Sequence, residues 1–509
     1  MLRKERPSAS QLSSCHKTRP FDPETDTTEI DETMPQLDLD SLVDDIRVAC
    51  HCGANTYSFL VSTPLKRKYT QIKVCQCTNC RLQTGNLAGW YIQAPQRPFE
   101  PETPPASLTA YAVEDGLTHY FCNKCSSKLF RREENASQPE QEFWLFTGCV
   151  TIPTKARFQI GFICCVDRES DGGLAAWLPN VEYRDTKDAI ITTEDMQNME
   201  SRLDPPIGQE SEGSEERQVT EEINDRERNR HSNANQITDG SQVAFSDNGE
   251  DGDSDECREP SSAPRNSVDS LGSEANWCGE DYAGRLMGRC HCMKVRLRLS
   301  RQKGAIEERE PYTIAGDTDL VIPYWSREHI RPTPSMDLTP WWTRESHPYY
   351  EGKRFLGGHC TCNSCRTIAG TEIQSWIFVP TRCIEILLPD GDVISWPTRQ
   401  ELSRGLDERL LDIIGFYDST PANPAEGVHE CTRGFCKKCG ANIFWDSSER
   451  WNLVDLSAGL FSARGFKEQR WIEWWTNRVS YKEDPEGTPR QDIAILLEKG
   501  LKEWDERQY

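Results

Sequence analysis

Apolar and polar side chains alternate with a period of two in two separate regions of the chain. Tyr57, Phe59 and Val61 alternate with smaller or polar residues, as expected of a half-buried β-strand whose side chains point to opposite faces in turn. Gln71-Ile72-Lys73-Val74 is a shorter run of the same kind. Farther on, Val295, Leu297 and Leu299 alternate with Lys294, Arg296 and Arg298, predicting a strand with a cationic outer face. Ile373, Ser375, Ile377 and Val379 share one side of a run closed by Pro380, again strand-like. Leu129-Phe130 and Ile443-Phe444-Trp445 are further apolar segments, and Trp471, Trp474 and Trp475 read as core. Helix is expected only at the periphery. The best candidate is 489–507, where Ile493, Leu496, Leu497, Leu501 and Trp504 fall on one face. The pattern predicts a mainly β protein.

Between the two regions the pattern stops. Glu182 to Glu280 holds 26 acidic and 9 basic residues, a net of −17 out of −23 for all 509 residues. With few aromatics, such a stretch cannot bury enough apolar surface to offset its ordering entropy. The expected organisation is therefore a disordered tail at 1–45, a first domain at 46–188 and a disordered acidic linker at 189–280. A second domain at 281–488 and a C-terminal helix at 489–509 complete it. The acidic balance weighs against nucleic acid as a partner, which needs a basic face. No run of about 18 apolar residues suggests a membrane span, and no apolar segment follows the basic start. An intracellular protein is expected, the cytoplasm being favoured over the nucleus. In that reducing setting 22 cysteines point to metal rather than disulfides.

The cysteines repeat in order. Cys50-His51-Cys52 and Cys290-His291-Cys292 each precede a triplet, Cys75, Cys77, Cys80 or Cys360, Cys362, Cys365. Each triplet has the tail Cys-Arg-x-x-x-Gly, through Arg81 and Gly85 or Arg366 and Gly370. A knuckle follows: Phe121-Cys122-Asn123-Lys124-Cys125, then Phe435-Cys436-Lys437-Lys438-Cys439. Seven thiols recurring at the same local spacing indicate two related metal-binding domains. The halves differ in length: 22 residues separate Cys52 from Cys75, and 67 separate Cys292 from Cys360. The extra residues, an insertion at 303–354 rich in Pro, Tyr and Trp, are either a lid or pocket wall, or an elaborated loop.

Each pair and knuckle together supply four thiolates, a closed tetrahedral shell for zinc. These quartets are Cys50, Cys52, Cys122, Cys125 and Cys290, Cys292, Cys436, Cys439. Iron could occupy the same four sulfurs. A triplet supplies only three. Three thiolates leave Zn²⁺ with a net charge of −1 and an open position, suited to receiving a thiol as thiolate. The other reading is a second structural zinc whose fourth ligand is His359, His429 or another residue. Arg81 and Arg366 could pair with a substrate carboxylate, cap a strand end or balance thiolate charge. Cys149, Cys164, Cys165, Cys383 and Cys431 lie outside the motifs and read as core or surface thiols.

Taken in order, these motifs resemble the glutathione-dependent formaldehyde-activating enzyme and centromere protein V family, in two tandem copies over roughly 46–185 and 284–480. The resemblance implies a β-tent fold of small antiparallel sheets, with a structural zinc at each quartet and a catalytic zinc at each triplet, two per domain. It implies a carbon–sulfur lyase reaction in which glutathione adds to formaldehyde to give S-hydroxymethylglutathione, whose carboxylates are of the kind that Arg81 and Arg366 could pair with. Small departures are Ser126 and Met293, each standing where the family usually has glycine, and Gln76 and Thr361, where it often has histidine. A non-catalytic tandem zinc module that holds a partner protein, and an enzyme on another thiol or carbonyl substrate, are the alternative expectations. The two domains could also pack on each other.

Overall fold

The computed structural model describes residues 43–62, 70–134, 142–153, 156–166, 171–185, 189–192, 195, 279–281, 283–301, 342–346, 352–397, 407–420, 430–448, 452–461 and 469–508. The tail at 1–42 and most of the acidic stretch and of the insertion lie outside them, so the expectations of disorder and of a lid are not addressed. Within the described residues the chain is mainly β with few helices. The alternating runs form strands: Thr56–Ser62, Gln71–Cys75, Arg296–Leu299 and Gln374–Pro380. Phe59 and Val61 are buried while Leu60 is 69% exposed, as period two requires. Gln374–Pro380 departs from this. It is buried on both faces because strands Arg354–Cys360 and Leu453–Ser457 flank it and other elements cover it.

Pairing is mostly antiparallel. The exceptions decide where the cysteines meet. Gln159–Cys164 runs parallel to Gln71–Cys75, placing Cys164 opposite Cys75. Ile472–Trp474 runs parallel to Arg354–Cys360, and an isolated parallel bridge places Ser480 opposite Cys360.

Helix was expected only at the periphery, yet each triplet contains one. Thr78–Thr84 and Asn363–Ala369 are seven-residue helices, N-capped by the sulfurs of Cys77 and Cys362, which accept from the backbone N–H of Cys80 and Cys365. Gly85 and Gly370 end them at φ 74° and 73°, the left-handed conformation that glycine adopts without a Cβ penalty. The Cys-Arg-x-x-x-Gly tail thus encodes one capped pair of turns, too short for apolar periodicity to register. The C-terminal helix, Gln491–Gln508, buries Ile493, Leu497, Leu501 and Trp504.

The residues from Val43 to Tyr509 cluster as one compact unit, and the two cysteine-bearing halves share a core. Trp177 of the first half is fully buried against His359, Trp474 and Trp504 of the second. Gly148 N donates to Gly370 O, and Gly459 N to Gly85 O. These contacts leave no space: a Cβ on Gly148 would sit 2.3 Å from Arg366 O, and one on Gly459 would sit 2.2 Å from Asn86 O.

Candidate metal centres

Each quartet forms where a strand end meets a turn. Cys50 follows strand Val43–Ala49, and Cys122 ends strand Leu117–Cys122. The four sulfurs of each quartet lie within 4.8 Å of one another. Cys50 and Cys52 are 3.6 Å apart, as are Cys52 and Cys122; Cys290 and Cys292 are 3.6 Å apart, and Cys292 and Cys436 3.4 Å. The edge of a zinc–sulfur tetrahedron is about 3.8 Å for bonds of about 2.3 Å, whereas a disulfide needs about 2.05 Å. The arrangement fits a soft tetrahedral cation. Backbone N–H groups support it, Asn55 N donating to Cys50 at 3.2 Å and Val295 N to Cys290 at 3.3 Å. Hydrogen bonds from Cys122 and Cys125 pull the Cys50 thiol well below its usual range.

Both departures from glycine fall at these turns. Ser126 and Met293 have φ 59°, while Gly440 and Gly53 hold the equivalent places at 74° and 75°. The backbone keeps its left-handed turn and the side chain bears the strain.

Each triplet brings three sulfurs together: one at a strand end, one as the helix N-cap and one in the helix. A buried arginine faces each. Arg131 Nη1 donates to Cys80 at 3.1 Å, joined by Tyr91 Oη at 3.2 Å. Arg433 Nη2 donates to Cys365 at 3.4 Å. Burial disfavours the Arg433 cation, but the thiolates of Cys365 and Cys362 outweigh it and raise its pKa. The sequence did not point to these arginines, because they stand on neighbouring strands: Arg433 occupies the place of His119, and Arg131 that of Trp445.

Arg81 and Arg366 are used elsewhere. Arg81 is 1% exposed and donates to the carbonyls of Gly459 and Phe461. Arg366 donates to the Gly148 carbonyl and to Asn363. Both guanidinium groups stitch the halves together, so in this arrangement Arg81 offers a carboxylate no open face.

His359 does not join the second triplet. Its ring stacks on Trp474 at 4.9 Å and 5°, and Nδ1 pairs with the Ser375 hydroxyl at 2.9 Å. His429 lies outside the described residues. The triplet is walled instead by Trp342, Leu356, Trp376, Phe378 and Leu453, with Tyr481 packed alongside; Trp342 comes from the described end of the insertion.

The first triplet has extra sulfur around it. Cys164 and Cys165 form a second trio with Cys75; Cys164 is buried, as the core reading expected, and Cys165 is partly exposed.

The histidine inside each Cys-His-Cys pair reaches the other half. His51 pairs through Nδ1 with Tyr417 Oη at 2.8 Å and through Nε2 with Ser364 Oγ at 2.9 Å. His291 pairs with Tyr111 Oη at 2.7 Å and Asn79 Oδ1 at 3.2 Å. Asn79 and Ser364 hold equivalent positions in the two triplets. Each quartet is therefore linked to the opposite half's triplet helix. The repeat of His between the two cysteines was the sequence signal for this link. Near it, Lys128 is buried and donates to Asn442 Oδ1 at 2.9 Å, and burial pulls its ammonium down to about 7 against the opposing charge of Cys439.

Residues 45–162 match the family model described as glutathione-dependent formaldehyde-activating enzyme. The matched span holds the first quartet and first triplet and ends before Cys164. No curated protein and no solved structure matches the chain.

Proposed function

We propose that the protein is a zinc-dependent enzyme of the carbon–sulfur lyase type. Its substrate would be the adduct of a thiol such as glutathione with a small aldehyde such as formaldehyde. In this reading the second half repeats the domain matched in the first, and the reaction belongs to Cys360, Cys362 and Cys365. One observation carries it. Among the described residues these three sulfurs are joined by no fourth cysteine, histidine or carboxylate, in a chain whose first half matches the formaldehyde-activating family.

Zinc on three thiolates would leave one position for an exchangeable ligand and hold an incoming thiol in its nucleophilic form. The chain's own residues do the rest. Capping of Asn363–Ala369 at both ends fixes the spacing of Cys362 and Cys365. The buried Arg433 cation offsets the excess thiolate charge, and the Trp342, Trp376 and Tyr481 wall keeps bulk water from competing for the aldehyde. In the adding direction a bond forms between the thiol sulfur and the aldehyde carbon, the carbonyl π bond breaks, and the thiol proton ends on oxygen. The reverse collapse releases thiol and aldehyde.

Full-length protein purified without chelator is expected to carry about four zinc ions, one for each quartet and triplet. Metal analysis giving about two would leave the triplets empty. The activity test mixes the protein with glutathione and formaldehyde and follows adduct exchange by NMR. Exchange above the spontaneous rate is expected for the parent, and the spontaneous rate alone for metal-stripped protein and for Cys365→Ser. If zinc-loaded parent also shows only the spontaneous rate, the non-catalytic module is the better reading.

A further inference from the structure

We propose that Cys165 closes the first triplet as a fourth sulfur ligand, so that the two triplets are different kinds of site. The inference rests on the reading above that the triplets hold zinc.

The delivery is geometric. Strand Gln159–Cys164 runs parallel to Gln71–Cys75 with Cys164 opposite Cys75, and Gln76 N donates to Cys164 O at 3.2 Å. The next residue, Cys165, turns through φ 58° and brings its sulfur 3.7 Å from that of Cys75. A separation of 3.7 Å is the edge of a zinc–sulfur tetrahedron, about 3.8 Å, and nearly twice a disulfide bond. A non-glycine residue in the left-handed region is uncommon and costs on the order of 1 kcal/mol or more, so this backbone is held for a reason.

The second half supplies the comparison. Ser480 lies opposite Cys360, Thr361 N donates to Ser480 O at 3.1 Å, and Tyr481 takes φ 56°. The same backbone turn is present, but its side chain is an aromatic ring packed beside the trio. Sulfur in one half is replaced by Tyr481 in the other.

The donors around each triplet follow this difference. Four thiolates leave Zn²⁺ with a charge of −2, three with −1. Cys80 receives two donors, Arg131 and the Tyr91 hydroxyl. Cys365 receives Arg433, and Trp376, which has no hydroxyl, stands in the place of Tyr91. Outer donors that match ligand charge are what a tuned metal site requires. Cys164, at 4% exposure, lies in the same trio as Cys75 and Cys165 but lacks the left-handed turn that carries the Cys165 sulfur, so its serine variant serves as the comparison. An internal sulfur thus stands where an incoming thiol would enter, and the first triplet becomes a closed site while the second stays open to exchange.

The test uses the full-length zinc-loaded protein. Native alkylation with iodoacetamide, mapped by peptide mass spectrometry, is expected to spare Cys165 as fully as Cys75 despite its partial exposure, until a chelator is added. In parallel, zinc release to a chromogenic chelator is followed in the parent, Cys165→Ser and Cys164→Ser. Cys165→Ser should release one ion per chain at least about ten-fold faster, and Cys164→Ser should match the parent. Four bound zinc ions with Cys165 alkylated at the rate of a free thiol would overturn this assignment and leave the proposed function standing. About two bound ions would overturn both. The alkylation result is read on the parent chain, so it decides the question even if Cys165→Ser misfolds.

Discussion

Cys436→Ser is expected to unfold both halves together, whereas Cys365→Ser leaves the fold nearly intact. Cys436 is fully buried within a four-sulfur shell joining a strand end to the turn at Cys290. Zinc in such shells contributes apparent free energies of about 10–16 kcal/mol in small peptides, more than the roughly 5–15 kcal/mol of net stability of a typical domain. Losing part of it therefore outweighs most other substitutions. The damage should not stop at the second half. His291, inside the same quartet, pairs with Tyr111, its N–H donates to Leu82 O, and Gln83 Nε2 donates to Cys439 O at 3.0 Å. The first triplet helix leans on the second quartet.

Cys365 differs. Its helix retains the Cys362 and Gly370 caps, and serine can still accept from Arg433. A single transition lowered by roughly 10 °C or more is expected for Cys436→Ser, with a drop of a few degrees for Cys365→Ser. Thermal melts with zinc content measured on the same samples check this. Equal unfolding by the two variants would make the second triplet a structural site.

What the sequence disclosed follows physical range. The strands at Thr56–Ser62 and Arg296–Leu299 were legible because burial on one face repeats every second residue. The quartets were legible because a Cys-x-Cys pair and a Cys-x-x-Cys knuckle together supply the four thiols of a closed tetrahedral metal shell. Contacts set by tertiary pairing were not. His51 and Ser364 lie 313 positions apart, and neither residue type announces the other. Arg131 and Arg433 escaped comparison of the halves because equivalent charges came from adjacent strands rather than equivalent positions. Cys165 was invisible as a ligand because its approach depends on a parallel strand pairing that no local pattern encodes. Arg81 and Arg366 were ambiguous for the opposite reason: a guanidinium suits a carboxylate or a cluster of carbonyls equally well, and only the neighbouring half decides between them.

Arg490→Met is expected to destabilise the protein by about 3–5 kcal/mol. Arg490 precedes the C-terminal helix and is almost wholly buried. Its Nε lies 3.0 Å from Glu372 Oε2, with side-chain exposures of 7% and 1%. Its Nη2 donates to the carbonyls of Thr147 and Val150, and its Cζ lies 4.9 Å from the centre of the Phe158 ring. One side chain thus joins the first half, the second half and the terminal helix. Glu372 Oε1 has no hydrogen-bond partner among the described residues, so without Arg490 the carboxylate is a buried charge with nothing to balance it.

Burial pulls Arg490 down to about 10 even though Glu372 opposes it. Removing both charges should hurt less than removing one. Glu372→Gln combined with Arg490→Met should recover roughly 2 kcal/mol, but not all of the loss, because the Thr147 and Val150 carbonyls would still lack their donor. Urea unfolding of the parent, both single variants and the double variant, each saturated with zinc so that metal binding does not shift the baseline, measures the coupling. A double variant whose loss equals the sum of the singles would show that the charge pair carries none of the effect, and that Arg490 acts through the carbonyls and the Phe158 ring alone.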